Sequence, residues 1–281
     1  MSQPTKYGTV GDAAAAPAPA PANGPVVDEE QSVQAGKTVK SRRGGIRRRL
    51  TVDLNREWAD IVLILCYLIT GLLDSASISI WRSFVSMQTG NTVYIGLGLA
   101  RPAESKTWVK SLTSLACFCV GSIVFSRFHR FFSPKRRWVL TLSFIVQFFL
   151  IAAAASMVTW GPDEHESDEL GWNVLAPIAL IAFQSAGQAV ASRALKFNAL
   201  TSVVLTSIYC DLFSDPFLLK LDNPERNRRL AAPIMLLVGA IAGGLFSHSF
   251  MGIAGALWAA AILKFFAVVA WLLWPEERVE E

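Results

Sequence analysis

Gln88-Thr89-Gly90-Asn91-Thr92 puts four hydrogen-bonding side chains and a glycine into five consecutive positions of an apolar stretch. Gly90 lets the backbone turn. Broken backbone at membrane depth is tolerated only inside protein or beside a water-filled cavity. The run therefore suits a half-helix start whose free N–H groups face an anion or polar solute, or hydrogen bonding between helices. Asp74 is expected at the end of the first apolar run, either as an intramembrane ionisable group with a function or as a headgroup-level residue or helix cap. In the second half Gln188 and Arg193, with Thr201, Ser202 and Thr206, hold the corresponding place; Arg193 reads as an inward-facing topology residue. Lys264 falls midway along the last apolar run, where it would pair with Asp74 or Asp211 in the interior or snorkel to the surface. The expected solute or ion pathway is thus Asp74, Gln88, Thr89, Gly90, Asn91, Thr92, Gln188, Thr201, Thr206 and Lys264.

Catalytic chemistry has little to stand on. Neither H-E-x-x-H nor G-x-S-x-G occurs, and no G-x-x-x-x-G-K-[ST] phosphate loop is present. His129, His165 and His248 have no metal-ligand spacing. Cys66, Cys117, Cys119 and Cys210 lie in or beside apolar runs without a C-x-x-C pair and read as small buried hydrophobes. No catalytic residue, metal or cofactor is expected.

The elements that must position these residues are membrane helices. The chain has 281 residues, 52% hydrophobic and 17% charged, with a mean hydropathy of +0.39; soluble domains carry about 25% charged residues. A span needs about 20 mostly apolar residues, and runs such as Trp138–Trp160 show no polar face. The net charge of +4 is not a nucleic-acid signature, because Lys and Arg cluster beside apolar runs as membrane flanks do. Residues 1–50 read as a disordered basic tail rich in Ala and Pro, without a cleaved signal peptide. Arg42, Arg43, Arg47, Arg48 and Arg49 precede the first run as a topology signal and a lipid-headgroup contact, a role also expected of Arg136 and Arg137. A membrane domain over 51–275 and a short acidic tail over 276–281 complete the chain.

Eight apolar segments are expected: Trp58–Leu73, Phe84–Ala100, Leu112–Phe125, Trp138–Thr159, Val174–Ala191, Ala199–Leu212, Ala232–Phe246 and Ile253–Trp274. If all crossed, the basic loops at 127–137 and 220–229 would fall on opposite sides, against the positive-inside rule. If the short, polar-broken second and sixth segments dip in and return, six crossings put both basic loops and both termini in the cytoplasm and the acidic loop (Asp163, Glu164, Glu166, Asp168, Glu169) outside. Halves 58–160 and 172–274 then share one order of elements with three crossings each, a 3+3 inverted repeat typical of transporters and some channels. Gly239 and Gly243 form a G-x-x-x-G step for close helix contact, expected within one chain.

Two stretches resemble the YoaK family. Gly71-Leu72-Leu73-Asp74-Ser75-Ala76-Ser77 followed by Gln88-Thr89-Gly90-Asn91-Thr92 is similar to its G-x-x-D-A-x-S…M/Q-T-G-N-T signature. Gly187-Gln188-Ala189-x-x-x-Arg193-Ala194-Leu195 followed by Leu200-Thr201-Ser202-Val203-Val204-Leu205-Thr206 is similar to its G-x-Q-N-A-x-x-R…L-T-T-T-V-L-T pattern. Ser75 replaces the usual Ala, Ala189 stands near the expected Asn, and Leu205-Thr206-Ser207 lacks the Gly-Asn of the first half. The resemblance implies a domain of about six spans over roughly 58–274 and no established activity. On these grounds the chain is expected to be an all-α, multi-pass membrane protein, not an enzyme, whose partners are the lipid bilayer and a small polar solute or ion, and not nucleic acid. Transport by a permease leads; a non-catalytic membrane scaffold or assembly factor, and an intramembrane enzyme, are the alternatives.

Overall fold

The computed structural model describes residues 51, 54–55, 59–133, 135–161, 170–197, 200, 202–220 and 222–276. The basic tail with Arg42, Arg43, Arg47, Arg48 and Arg49, the acidic loop, and Thr201 lie outside the described residues. Among the described residues eight helices follow in order: α1 Ala59–Trp81, α2 Gln88–Ala100, α3 Thr107–Phe132, α4 Arg137–Trp160, α5 Trp172–Ala194, α6 Thr206–Phe213, α7 Pro224–Ser247 and α8 Gly252–Leu273. All but α2 and α6 are long and apolar enough to cross a membrane, six in number. At 1.5 Å per residue α2 and α6 reach about 20 and 12 Å, short of the roughly 30 Å hydrocarbon core.

One end of the bundle gathers segments far apart in sequence. Leu54 N donates to Lys135 O at 3.0 Å and Asn55 N to Pro275 O at 3.2 Å. Arg137 Nη2 donates to Trp274 O at 2.6 Å, and Arg228 pairs with Asp60 at 2.7 Å. The start of α1, the α3–α4 loop, the start of α7 and the end of α8 therefore share one side. An even number of crossings must separate each from the next, which holds when α2 and α6 do not cross. At the opposite end Trp258 Nε1 donates to Thr159 Oγ1 at 3.0 Å.

Helix α1 packs on α7, α3 on α5, α4 on α8, α4 on α5, α1 on α8, α2 on α3 and α6 on α7. Glycines set the closest seam. A Cβ on Gly71 would fall on the Leu236 carbonyl, and Cβ atoms on Gly239 and Gly243 would fall on the carbonyls of Leu68 and Leu72. The Gly239/Gly243 step thus closes α7 on α1 within one chain. Buried Ile69, Leu72, Leu73, Ile151, Ile178, Ile181 and Leu257 fill the adjoining core.

Several helices run past the expected segments. α1 continues through Asp74 to Trp81, α3 spans 107–132 rather than 112–125, and α7 starts at Pro224, where Asn223 caps it by accepting from Arg226 N at 3.0 Å. The hydropathy reading stopped at the first polar side chain, but a helix with a packed neighbour can bury one. Arg137 is a second correction: it is buried and bonded to Trp274 rather than offered to headgroups, while Arg136 is exposed. The cysteines are free, but only Cys66 is buried; Cys119 and Cys210 are exposed on the bundle surface.

Candidate functional site

After α1 the chain turns back beside the helix it has left. Arg82 adopts a left-handed φ of 61°, Ser77 Oγ donates to Ser83 O at 2.7 Å, and the backbone N–H groups of Val85 and Ser86 both donate to Asp74 Oδ1 at 2.8 Å. Asp74 sits about 10 Å along α1 from its end, so the loop is drawn that far back into the bundle. The carboxylate is thus not a helix cap at the surface; it is 3% exposed and anchors the loop. Its Oδ2 has no partner.

Asn91 secures the loop from the other side. Its Oδ1 accepts from Phe84 N at 3.0 Å and Ser83 Oγ at 3.3 Å. Its Nδ2 donates to Phe84 O at 2.8 Å, Gln88 Oε1 at 2.9 Å and Ser114 Oγ of α3 at 3.0 Å. An amide carries two N–H donors and one acceptor oxygen, so Asn91 is saturated by protein and holds the loop rather than a solute. The Gln88–Thr92 run is not the break itself: it is the first turn of α2, and the break lies at 82–87. Gly90 packs its open face against Phe84, whose ring a Cβ would meet at 2.6 Å.

The second half repeats the device with other atoms. Lys196 adopts φ 63° after α5, and Ser192 Oγ donates to the carbonyls of Phe197 at 2.8 Å and Leu200 at 2.7 Å. Gln188 Nε2 donates to Ser202 Oγ of the returning loop at 2.7 Å, to Thr70 Oγ1 at 2.9 Å and to Cys66 O at 3.0 Å. Gln188 Oε1 accepts from Lys264 Nζ at 2.5 Å, and Gln147 Oε1 accepts from the same ammonium at 3.0 Å. The Phe144 ring lies 5.1 Å from that nitrogen. Lys264 is fully buried, but its partners are two amides, not Asp74 or Asp211; Asp211 is exposed. Gln147 Nε2 continues to Ser143 Oγ at 3.2 Å, which meets His129 Nε2 at 3.4 Å.

The expected pathway residues therefore divide. Asp74 and Asn91, with half-buried Gln88, form one knot and Gln188 and Lys264 another, while Ser86 Oγ of the first returning loop meets Ser185 Oγ of α5 at 2.9 Å. Thr92 and Thr206 are exposed and join neither. Gln147, Ser143, His129, Ser111 and Ser114 were missed as site residues. Their only sequence signal was spacing of three or four, Ser111/Ser114 on α3 and Ser143/Gln147 on α4, the latter a narrow polar stripe in the run read as having none.

Two cavities adjoin the knots. One of about 160 Å³ is lined by both returning segments, through Ser86, Gln88 and Thr89 from the first and Val203 and Val204 from the second, with Ser122 of α3 and Arg193 of α5. The other, about 260 Å³, is lined by Ser126, His129 and Arg130 of α3 and Val190, Arg193 and Ala194 of α5. Val190 and Arg193 are common to both. Ser122, Ser126 and His129 or Arg130 step along one face of α3 at helical spacing, so the cavities are successive stretches of one groove between α3 and α5. It leads from the tips of the returning segments toward the basic end.

No curated protein and no solved structure matches this chain. Residues 62–270 match the family described as a protein of unknown function, DUF1275, over most of the membrane region that carries the two signature motifs; the chain belongs to that family.

Proposed function

We propose that the protein is a small-solute or ion permease that works through the α3–α5 groove. The observation that carries this reading is that two short re-entrant segments, one from each half of the chain, line the same cavity. Discontinuous helices meeting inside a bundle are the architecture in which transporters build solute sites. The helix pairings support an inverted repeat. Exchanging α1 with α5, α2 with α6, α3 with α7 and α4 with α8 turns each pairing given above into another of them, save α4 on α8, which maps onto itself. Arg82 and Lys196, the left-handed residues that start the two returning loops, lie 114 positions apart, as do Asp74 and Gln188, which tether those loops.

The basic end then faces the cytoplasm by the positive-inside rule, with both ends of the membrane domain on that side. The reading is non-enzymatic, with lipid and a small polar solute or ion as partners. Transport is passive or ion-coupled; a proton-coupled version would act through Asp74, whose Oδ2 is unpartnered.

The test is flux through proteoliposomes of the purified full chain, with potassium, sodium, chloride, nitrate, acetate, urea and glycerol as probes. At least one should move faster than through empty vesicles. Asn91→Ala should abolish that flux, and deletion of residues 1–40 should leave it intact. A chain that moves none of the probes, yet loses a cellular phenotype on deletion of 1–40, is a scaffold and the permease reading is wrong.

A further inference from the structure

The lining of the groove specifies the charge of what it takes. Among the described residues that line its two cavities, Arg130 and Arg193 are charged and no acid is present. Neither arginine has an ion pair with another described residue. His129, 2% exposed, lines the wider cavity and carries an Nδ1 with no hydrogen-bond partner. That is a buried polar atom awaiting a partner which the protein does not supply. Deeper in, Gln88 and Thr89 line the narrow cavity as the first turn of α2, a helix of 13 residues whose N-cap, Met87, provides no side-chain cap.

We infer that the groove is a pathway for a small anion, selected by Arg193. This rests on the permease reading and adds the substrate class to it. Arg193 is the charged residue common to both cavities, so an anion moving from the basic end to the re-entrant tips stays within its reach. Arg130 raises the anion concentration at the mouth. The narrow cavity receives it where the two segments meet, beside Thr89 and Ser122. Size narrows the class further. With about 30 Å³ per water molecule, the narrow cavity of about 160 Å³ holds about five waters, which fits an inorganic oxyanion or a short monocarboxylate and excludes nucleotides. Thr89 and Ser122 supply neutral hydroxyls that hydrogen-bond an oxyanion without trapping it as a second fixed cation would.

The test reads the groove directly and does not depend on flux. Thr89→Cys and Val203→Cys are placed singly in full-length protein lacking the four native cysteines, in phosphatidylcholine vesicles. Each is labelled with methanethiosulfonates of opposite charge, sulfonatoethyl and trimethylammonioethyl. The anionic reagent should react about tenfold faster than the cationic one at both positions. Arg193→Gln should bring the ratio near one, Arg193→Lys should keep most of it, and millimolar nitrate or acetate should slow the anionic reagent. A ratio near or below one in the parent, or no labelling by either reagent, overturns the inference. So does protection by added phosphatidylglycerol without protection by nitrate or acetate, which would make the groove a lipid-headgroup site. Charge-selective labelling with no flux of any probe would remove the permease reading and leave the anion site standing. Flux of potassium or urea without charge selectivity would do the reverse.

Discussion

Two helix seams hold corresponding places in the chain order, and they are built differently. α1 meets α7 backbone to backbone, with Gly71, Gly239 and Gly243 each set against a main-chain carbonyl. α3 meets α5 through a mixed contact: Gly121 lies against the Phe183 carbonyl, but Gly187 faces the ring of Phe125, which a Cβ would meet at 2.6 Å. The first seam leaves no room for side chains. The second holds its helices apart on aromatic and polar side chains, and along it run the groove and its unpaired arginines. Under the permease reading proposed above, such asymmetry corresponds to one seam sealed and its counterpart open toward one side.

The sharpest break of this comparison is at the glycines. A methyl on Gly239 collides with the Leu68 main chain, which cannot move without displacing α1. Gly239→Ala should cost about 3 kcal/mol, at the upper end for overpacking, and lower the melting temperature in detergent, followed by tryptophan fluorescence. Gly187→Ala meets the edge of a ring that can rotate and should cost about 1 kcal/mol. Equal losses at the two sites would show that the seams are equally tight and remove the asymmetry.

The loop tethers come next. Asp74 accepts two backbone N–H groups, and Asp74→Ala leaves both buried without an acceptor, at about 1–3 kcal/mol for each bare donor. Asp74→Asn keeps an oxygen at the same place and should lose about 1 kcal/mol. Gln188, 114 positions on, ties its loop by donating to a side chain, Ser202 Oγ, so Gln188→Ala should loosen the second loop less than Asp74→Ala loosens the first. Hydrogen exchange of the 83–87 and 202–205 amides in each variant measures the two tethers separately. Greater release of the second loop would invert the order.

Lys264 sharpens the contrast between the halves, because its ammonium leans on two amides, Gln188 and Gln147, whereas Asp74 is held by backbone N–H groups. Burying a cation among neutral groups is costly. Lys264→Met fills a similar volume and removes the buried charge but leaves the Gln188 and Gln147 oxygens bare, so it should cost about 2 kcal/mol. A loss of several kcal/mol would mean that the charge itself holds α4, α5 and α8 together.

How far the sequence foretold this arrangement depends on the kind of signal. Six spans were legible because continuous apolar length and the placement of Arg and Lys are one-dimensional properties, and the shortness of α2 and α6 could be read from Gln88–Thr92 and Thr201–Thr206 interrupting their segments. The helix ends were not legible where packing overrides hydropathy: Asp74 and Ser77 looked like an exit from the membrane, yet they lie inside α1 because the returning loop satisfies them. Lys264 was left between the interior, paired with Asp74 or Asp211, and the surface, since opposite charge is what a sequence offers, while the fold buries it against amides from α4 and α5. Arg193 was read only as a topology residue because its importance comes from α3, whose Ser122, Ser126 and Arg130 face it across a groove that no local spacing announces.

The smallest expected effect lies in the loops that follow the two short helices. After α2, Arg101 pairs with Glu104 at 2.9 Å, both exposed, a contact worth little. After α6, Asp215 accepts from Phe217 N at 2.8 Å and from Asn223 Nδ2 at 3.1 Å, with Arg229 3.6 Å away. The Phe217 N–H, first of these, holds the Asp215 carboxyl below its ordinary 3.8. A carboxyl depressed by folding contributes stability above its unfolded value, and that contribution is lost as pH falls through the folded one. Asp215→Asn should therefore melt slightly below the parent at pH 7, and the gap should close as pH falls below about 4. Glu104→Gln, which removes only an exposed pair, should melt with the parent at pH 7. A gap of the same size at both positions would mean that the second loop is no better organised than the first, and that the difference between the halves is confined to the helices.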